Sequence, residues 1–456
     1  MTDTTSPPTF LRAVGVLGLT AAIFNCTVGG GIFRLPSGAA AAAGSAAPFV
    51  YLICAAVMAC VVLCFAEVGS RVAQTGGPYA YVEAAYGRYP GFLAGVLLWM
   101  ISTTAVAGVA SAFAEGVAAL AGAPAIRAPV VVGTFVLLAT VNIRGVEQGT
   151  RLVMIASIAK LLPLLVFVGV GVFFVEPGNL AIAAAPPASD LARAGMILIF
   201  AFMGVESALV PSGEVRDPAR TVPRALALAM VGVTVLYLCI HLVATGLLGP
   251  RLATATVAPL AFAAERFLGR PGYLLLLIGA SISMFGYLSG MTLAVPRALW
   301  KFAEEGLLPK WLGAIHVRFR TPHVAILVQS LLVTALAVFN SFEQLAVIAN
   351  LSALLLYGAV AVATLVLRRR DVRHDGATPF RVPGGALVPV LTVALIGWLL
   401  TSITQTEWAA MVATLSVASI FYAVRARFAA QGASPERAVH GDAVRVHARE
   451  RSSQRT

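Results

Sequence analysis

The sequence predicts an all-α polytopic membrane protein with twelve transmembrane helices, and three observations predict it. The chain of 456 residues is 59% hydrophobic and only 11% charged, and its apolar runs repeatedly exceed the roughly 18 residues that mark a spanning helix. Cut at charged and Pro/Gly breaks, those runs start near Ala13, Pro48, Gly91, Pro129, Leu152, Ala192, Pro223, Gly272, His323, Gln344, Ala386 and Glu407. With the N-terminus taken as cytoplasmic, the inner segments hold 25 of the 32 Lys and Arg residues, while the outer ones hold only Arg34, Arg127, Arg193, Arg251, Arg266 and Arg270. This positive-inside asymmetry places both termini on the cytoplasmic side of a plasma or inner membrane. It also explains a net charge of +12 without any nucleic acid.

Residues 1–12 form a short cytoplasmic segment. The first span carries "TVGGGIFRLP", three glycines in a row where a helix should be strongest, although glycine is a poor helix former. The "AAAAAGSAA" that follows resembles a signal-peptide cleavage site, but the run is too long and eleven more spans follow. The second span ends with Glu67 and Arg71, four apart, which read equally as a gate or as a helix-end ion pair. Glu115 stands near the outer end of the third. The fifth, "SIAKLLPLL", buries Lys160, where an ammonium costs about 2.5–3.5 kcal/mol on insertion scales and needs a partner, a watery cavity or a route to the interface.

The sixth span, "MILIFAFMGVESALVPSGEV", is interrupted as well, by Gly204 with Glu206 beside it. Glu206 reads as a coupling group or as a protonated carboxyl that bonds the freed backbone. The loop "GEVRDPARTVPRAL" breaks at two prolines before the next helix. His241 in the seventh span reads as a hydrogen-bonded core histidine before a proton relay, and Tyr357 in the tenth is a weaker candidate for the pathway. All five cysteines lie in spans, with no metal or disulfide company. From Arg425 to Thr456 the pattern is polar and basic and reads as a disordered tail.

The two interrupted spans are each the first of five. Paired breaks of this kind point to a transporter built from inverted repeats, with its substrate at the midplane. Unwinding exposes N–H groups that favour an anion and C=O groups that favour a cation, and a free α-amino acid carries one of each. A helix contact through small residues is the competing explanation for "GGG" alone.

Four stretches in order, "VGGGIF", "GGPYAYVEAAYG", "FMGVESALVPSGEVRDPARTVPRAL" and "PRALWKFAEEGLLPKWL", resemble the amino acid–polyamine–organocation (APC) superfamily of permeases over about Arg12 to Arg427. The resemblance implies a LeuT-like 5+5 inverted repeat, residues 13–175 and 190–367, with helices 1 and 6 unwound at the midplane. Two C-terminal helices over 386–424 follow, and the tail is 425–456. It implies secondary transport of an amino acid by alternating access, with the substrate carboxylate on the N–H groups of Gly30 and Gly31 beside Gly29. The amino group would meet the carbonyls of Thr27, Phe200 and Met203, next to Gly204. Gly30 stands where many relatives have serine, so backbone donors must suffice.

A tryptophan that holds guanidinium in similar exchangers is replaced by Met291, and the facing third-helix positions are read as Ile101, Val106 and Val109. The side-chain space is therefore expected to be apolar and to suit neutral, aliphatic amino acids, selecting weakly among near-isosteres. Lys160, as in similar sodium-independent permeases, implies proton symport or exchange, with Lys160 and Glu206 as the coupling sites. Expected partners are the amino acid, lipid and protons, with no cofactor, metal or nucleic acid, and a monomer or homodimer. An enzyme is not expected, since neither HExxH nor GxSxG is present. A cationic amino acid or polyamine antiporter, and a non-transporting nutrient sensor or partner-dependent subunit, are the alternatives.

Overall fold

The computed structural model describes residues 14–72, 76–144, 160–181, 186–209, 215–304, 306, 308–373 and 378–431. Among them the chain is mostly helical and contains no strand. The only extended pairing there is a single parallel bridge between Val14 and Val215.

The first apolar run divides into α1 (Val16–Thr27), a 3-10 turn (Gly30–Phe33) and α2 (Leu35–Ala43), and α3 (Ala47–Arg71) follows directly. A short α4 (Pro78–Tyr86) leads into α5 (Arg88–Ala121) and α6 (Arg127–Arg144). Beyond residues 145–159, which lie outside the described set with most of the inner half of the fifth span, α7 (Leu161–Gly171) begins just after Lys160. The sixth run divides into α8 (Ala188–Phe202) and α9 (Val205–Ala208). Then come α10 (Pro218–Leu248), α11 (Pro259–Ala294, bent at Gly269) and α12 (Pro296–Glu304). The last four are α13 (His323–Phe339), α14 (Phe342–Arg369), α15 (Leu387–Leu400) and α16 (Gln405–Gln431).

Among the described residues, seven helical stretches are long and apolar enough to cross a membrane, and four shorter apolar helices accompany them. The difference from twelve is physical. The breaks leave α1, α8 and α9 each too short to span alone, α2 runs on through a turn into α3, and α7, α13 and α15 are among the shorter apolar helices. The helix α16 continues to Gln431, past Val424 where the sequence turns polar, and residues 432–456 lie outside the described set.

The centre is formed by α5 and α14, the most enclosed of these helices, while α16 is almost wholly peripheral. Gly108 lets α5 and α14 approach closely, since a Cβ there would stand 3.4 Å from that of Leu345. A capping box joins Ser341 and Gln344 at the start of α14. Side chains such as Val136, Leu137, Phe173, Leu331, Phe339 and Val390 remain exposed, which suits a lipid solvent.

Glu67 and Arg71 are both fully buried and belong to a larger cluster. Arg71 Nη2 donates to Glu67 Oε1 at 2.9 Å and Arg368 Nε donates to the same oxygen at 3.0 Å, while Arg368 Nη2 pairs with Oε2. The Val382 N–H also reaches Oε2, at 2.9 Å, and Arg71 Nη1 donates to the Val372 carbonyl at 3.1 Å. One carboxylate thus ties α3 to α14 and to the loop after it. Removing one partner of such a buried pair costs about 3–5 kcal/mol.

Candidate functional site

Both interruptions form in the fold, and they touch. Helix α1 stops at Thr27, and Gly29 is extended (φ −101°, ψ −160°) before the 3-10 turn starts. Helix α8 stops at Phe202, Met203 is extended, and Gly204 takes φ +118° before α9 resumes. A Cβ on Gly204 would stand 2.7 Å from the Cys26 carbonyl oxygen and 3.1 Å from the Thr27 nitrogen, so the two irregular backbones are in direct contact. Backbone of this kind is tolerated at membrane depth only where protein or a cavity satisfies it. The buried Tyr237 of α10 supplies one such group, its hydroxyl 2.9 Å from the Thr27 carbonyl oxygen and 3.0 Å from that of Ala201.

A cavity of about 230 Å³ lies at this junction, walled by the broken segments, α5, α11 and Lys160. From the broken segments, Thr27, Gly29, Gly30, Gly31, Phe200, Met203 and Gly204 line it. Ile101 and Met291 do so from α5 and α11, and both Lys160 and Glu206 reach it. Val106 does not: it is buried on α5, whose cavity face is formed by Ile101, Ser102, Ala105 and Val109. A helix returns to one side about every fourth residue, so 101, 105 and 109 share a stripe that 106 leaves.

The N–H groups of Gly30 and Gly31 open a helical segment, where first-turn donors have no intrahelical acceptor. The chain packs tightly here: a Cβ on Gly30 would meet Met284 Cγ at 2.8 Å and Val109 Cγ1 at 3.2 Å. The carbonyl of Thr27 already accepts from the Gly29 N–H at 2.8 Å and lies beside the Tyr237 hydroxyl. The Phe200 carbonyl likewise accepts from the Met203 N–H, at 3.4 Å.

Lys160 is buried, and its Nζ donates to the Asn25 carbonyl at 2.6 Å. The ammonium thus has a partner on α1 and a cavity beside it, and it does not reach for the interface. Both oxygens of Glu206 lie 3.0 Å from the Gly204 nitrogen, whose N–H they accept, and Tyr357 donates its hydroxyl to Oε2 at 2.7 Å. Glu206 therefore holds the break in α8 and α9, ties it to α14 and borders the cavity. His241 lies away from the cavity, its ring 4.8 Å from that of Tyr51, and neither ring nitrogen has a hydrogen-bond partner among the described residues. The expected hydrogen-bonded core histidine is thus buried without the hydrogen bonds.

Beyond Gly31 stands a cluster of aromatic and charged side chains. Phe200 packs edge-on against Phe342 with ring centroids 5.4 Å apart, and the Arg34 guanidinium lies over Phe342 at 5.7 Å. Arg34 pairs with Glu115 of α5 and, at 3.4 Å, with Glu343 of α14. Arg127 joins Glu115 at 3.4 Å and donates to the carbonyls of Ala337 and Asn340, each at 2.9 Å.

Sequence reasoning passed over most of the α11 wall. Ser283, Gly286, Tyr287, Gly290 and Met291 line the cavity at steps of three and four residues. The small and polar residues at helical spacing upstream of Met291 were the available signal.

A multi-pass membrane protein whose two broken helices meet around one cavity has the layout of a transporter site. The chain belongs to the amino acid permease family of the APC superfamily, whose family model, described as amino acid permease, matches residues 14–431. It is similar to the methylthioribose transporter of Bacillus subtilis, with 27% identity covering 91% of this chain and 94% of that protein. The serine/threonine exchanger SteT of the same organism is 26% identical over 91% of this chain and 97% of its own. The mouse Asc-type amino acid transporter 1 is 29% identical over 85% and 75%.

Proposed function

We propose that this permease moves neutral amino acids across the membrane by alternating access, as a sodium-independent secondary transporter coupled to protons or to a second amino acid. The observation that carries this reading is the contact between the two breaks around one cavity. It brings the N–H groups of Gly30 and Gly31 and the carbonyls of Thr27, Phe200 and Met203 to the two charged ends of one small zwitterion. The fold proposed with it is the twelve-span, five-plus-five arrangement, with both termini cytoplasmic. In that arrangement the Arg34, Glu115 and Glu343 pairs close the outer side. The names of the relatives support the substrate class, since an exchanger of serine and threonine and an Asc-type amino acid transporter are among them.

Uptake of labelled amino acids into liposomes, with and without an inward proton gradient or internal amino acid, tests the reading. Stimulation by the gradient into empty liposomes is the result expected of a symporter, and uptake only against internal amino acid that of an exchanger. Binding without flux under every condition would make the protein a sensor and end the proposal. In the same assay Gly30→Val is expected to abolish uptake and substrate binding in a protein that still elutes as a single species, because its side chain would fill the space beside Met284 and Val109. Normal affinity in that variant would move the carboxylate elsewhere.

Cys26 lines the cavity, whereas Cys54, Cys60, Cys64 and Cys239 do not. A small cationic methanethiosulfonate is expected to block uptake, with substrate slowing the reaction and Cys26→Ala removing the sensitivity. Full sensitivity in Cys26→Ala would place the reactive thiol outside the pathway.

A further inference from the structure

Many helical hydroxyls among the described residues turn back onto the carbonyl four residues earlier, whereas those of Thr20, Thr27, Thr245, Ser283, Ser289 and Ser330 have no partner there. On α11 itself Ser281 donates to Leu277 at 2.8 Å and Thr292 to Leu288 at 2.7 Å, and on α5 Ser102 and Thr104 do the same. Two hydroxyls of α11, those of Ser283 and Ser289, have no partner among the described residues. Only Ser283 of these lines the cavity, where the residue is 3% exposed. The Thr27 hydroxyl, in the opposite wall, is also buried and unpaired. A buried hydroxyl without a partner is costly, and an explanation is owed for each one.

The position of Ser283 supplies one. Its neighbour Met284 is the side chain that a Cβ on Gly30 would strike, so this turn of α11 stands beside the proposed carboxylate site. Ser283, Gly290 and Met291 line the same cavity. A serine hydroxyl donates once, accepts twice, and redirects by a single χ1 step. We infer that Ser283 is a specificity-determining residue that hydrogen-bonds the side-chain hydroxyl of small hydroxyl-bearing amino acids. The inference rests on the transport reading and sharpens it. A wall that pairs with a hydroxyl discriminates against an analogue lacking it far better than an apolar wall discriminates by size.

The test is competition for uptake in liposomes by L-serine and L-threonine against L-alanine and L-valine. It uses the full-length protein, Ser283→Ala, and Ser281→Ala as a back-bonded neighbour. The wild type is expected to favour the hydroxyl member of each pair. Ser283→Ala should lower that preference about tenfold (about 1.4 kcal/mol) while L-alanine uptake persists, and Ser281→Ala should leave it in place. A preference unchanged in Ser283→Ala, or serine and alanine uptake falling together, would overturn the hydroxyl contact and leave the transport reading standing. Failure of the wild type to take up any amino acid would remove the transport reading and this inference with it.

Discussion

Gly204→Ala is expected to reduce amino acid uptake at least a hundredfold. The position combines two demands that usually occur apart. Its φ of +118° is a conformation that L side chains rarely adopt and that costs on the order of 1–3 kcal/mol for a residue other than glycine. The new methyl would also stand 2.7 Å from the Cys26 carbonyl oxygen and 2.8 Å from its carbon. Those atoms are backbone and have no rotamer to move into. The two breaks would have to separate, shifting the Gly204 N–H from Glu206 and loosening the Tyr237 bridge. A hundredfold loss corresponds to ~2.7 kcal/mol, within reach of the strain alone. Gly133→Ala is the comparison, because nothing lies within 4 Å of its added Cβ, and it should transport as the wild type does. Uptake and thermal midpoint measured on both would decide the matter. Wild-type rates in Gly204→Ala would show that the close approach of the two segments has no part in transport.

What the sequence disclosed and what it hid divides along a physical line. The two breaks were legible because a glycine run, or a glycine beside a carboxylate, conflicts with an apolar helix unless protein or a cavity satisfies the freed backbone. Lys160 was legible for the same reason, as an ammonium within an apolar run. The phase of α5 was not: the helix is apolar on every side, so its periodicity singles out no face and Val106 could stand in for Ala105. The α11 wall escaped because serine and glycine in a membrane helix are ordinary packing residues until a cavity is known to lie beside them. Arg34 and Glu115 are 81 positions apart, and no local pattern joins them. The sequence counted Arg34 only as an outer-side charge.

Replacing Lys160 by Ala or by Met is expected to lower uptake at least tenfold and to leave it independent of sodium. The argument begins at the end of α1, where the last carbonyls of a helix carry partial negative charge and favour a cation. Asn25, two residues before the helix stops at Thr27, directs its carbonyl at an ammonium on the protein itself, 2.6 Å away. A lysine fixed there already supplies that carbonyl with a cation. Removing it leaves the Asn25 carbonyl buried without that donor, at a cost of roughly 1–3 kcal/mol, so α1 loses one of its ties at the depth of the cavity. The Met variant keeps the apolar stem and separates loss of charge from loss of packing. Uptake compared in sodium and in choline media would measure both effects. Unaltered flux in the two variants would make the lysine a bystander. Recovery of flux by sodium in either one would show that a free cation can occupy the vacated place, and that sodium independence rests on this single side chain.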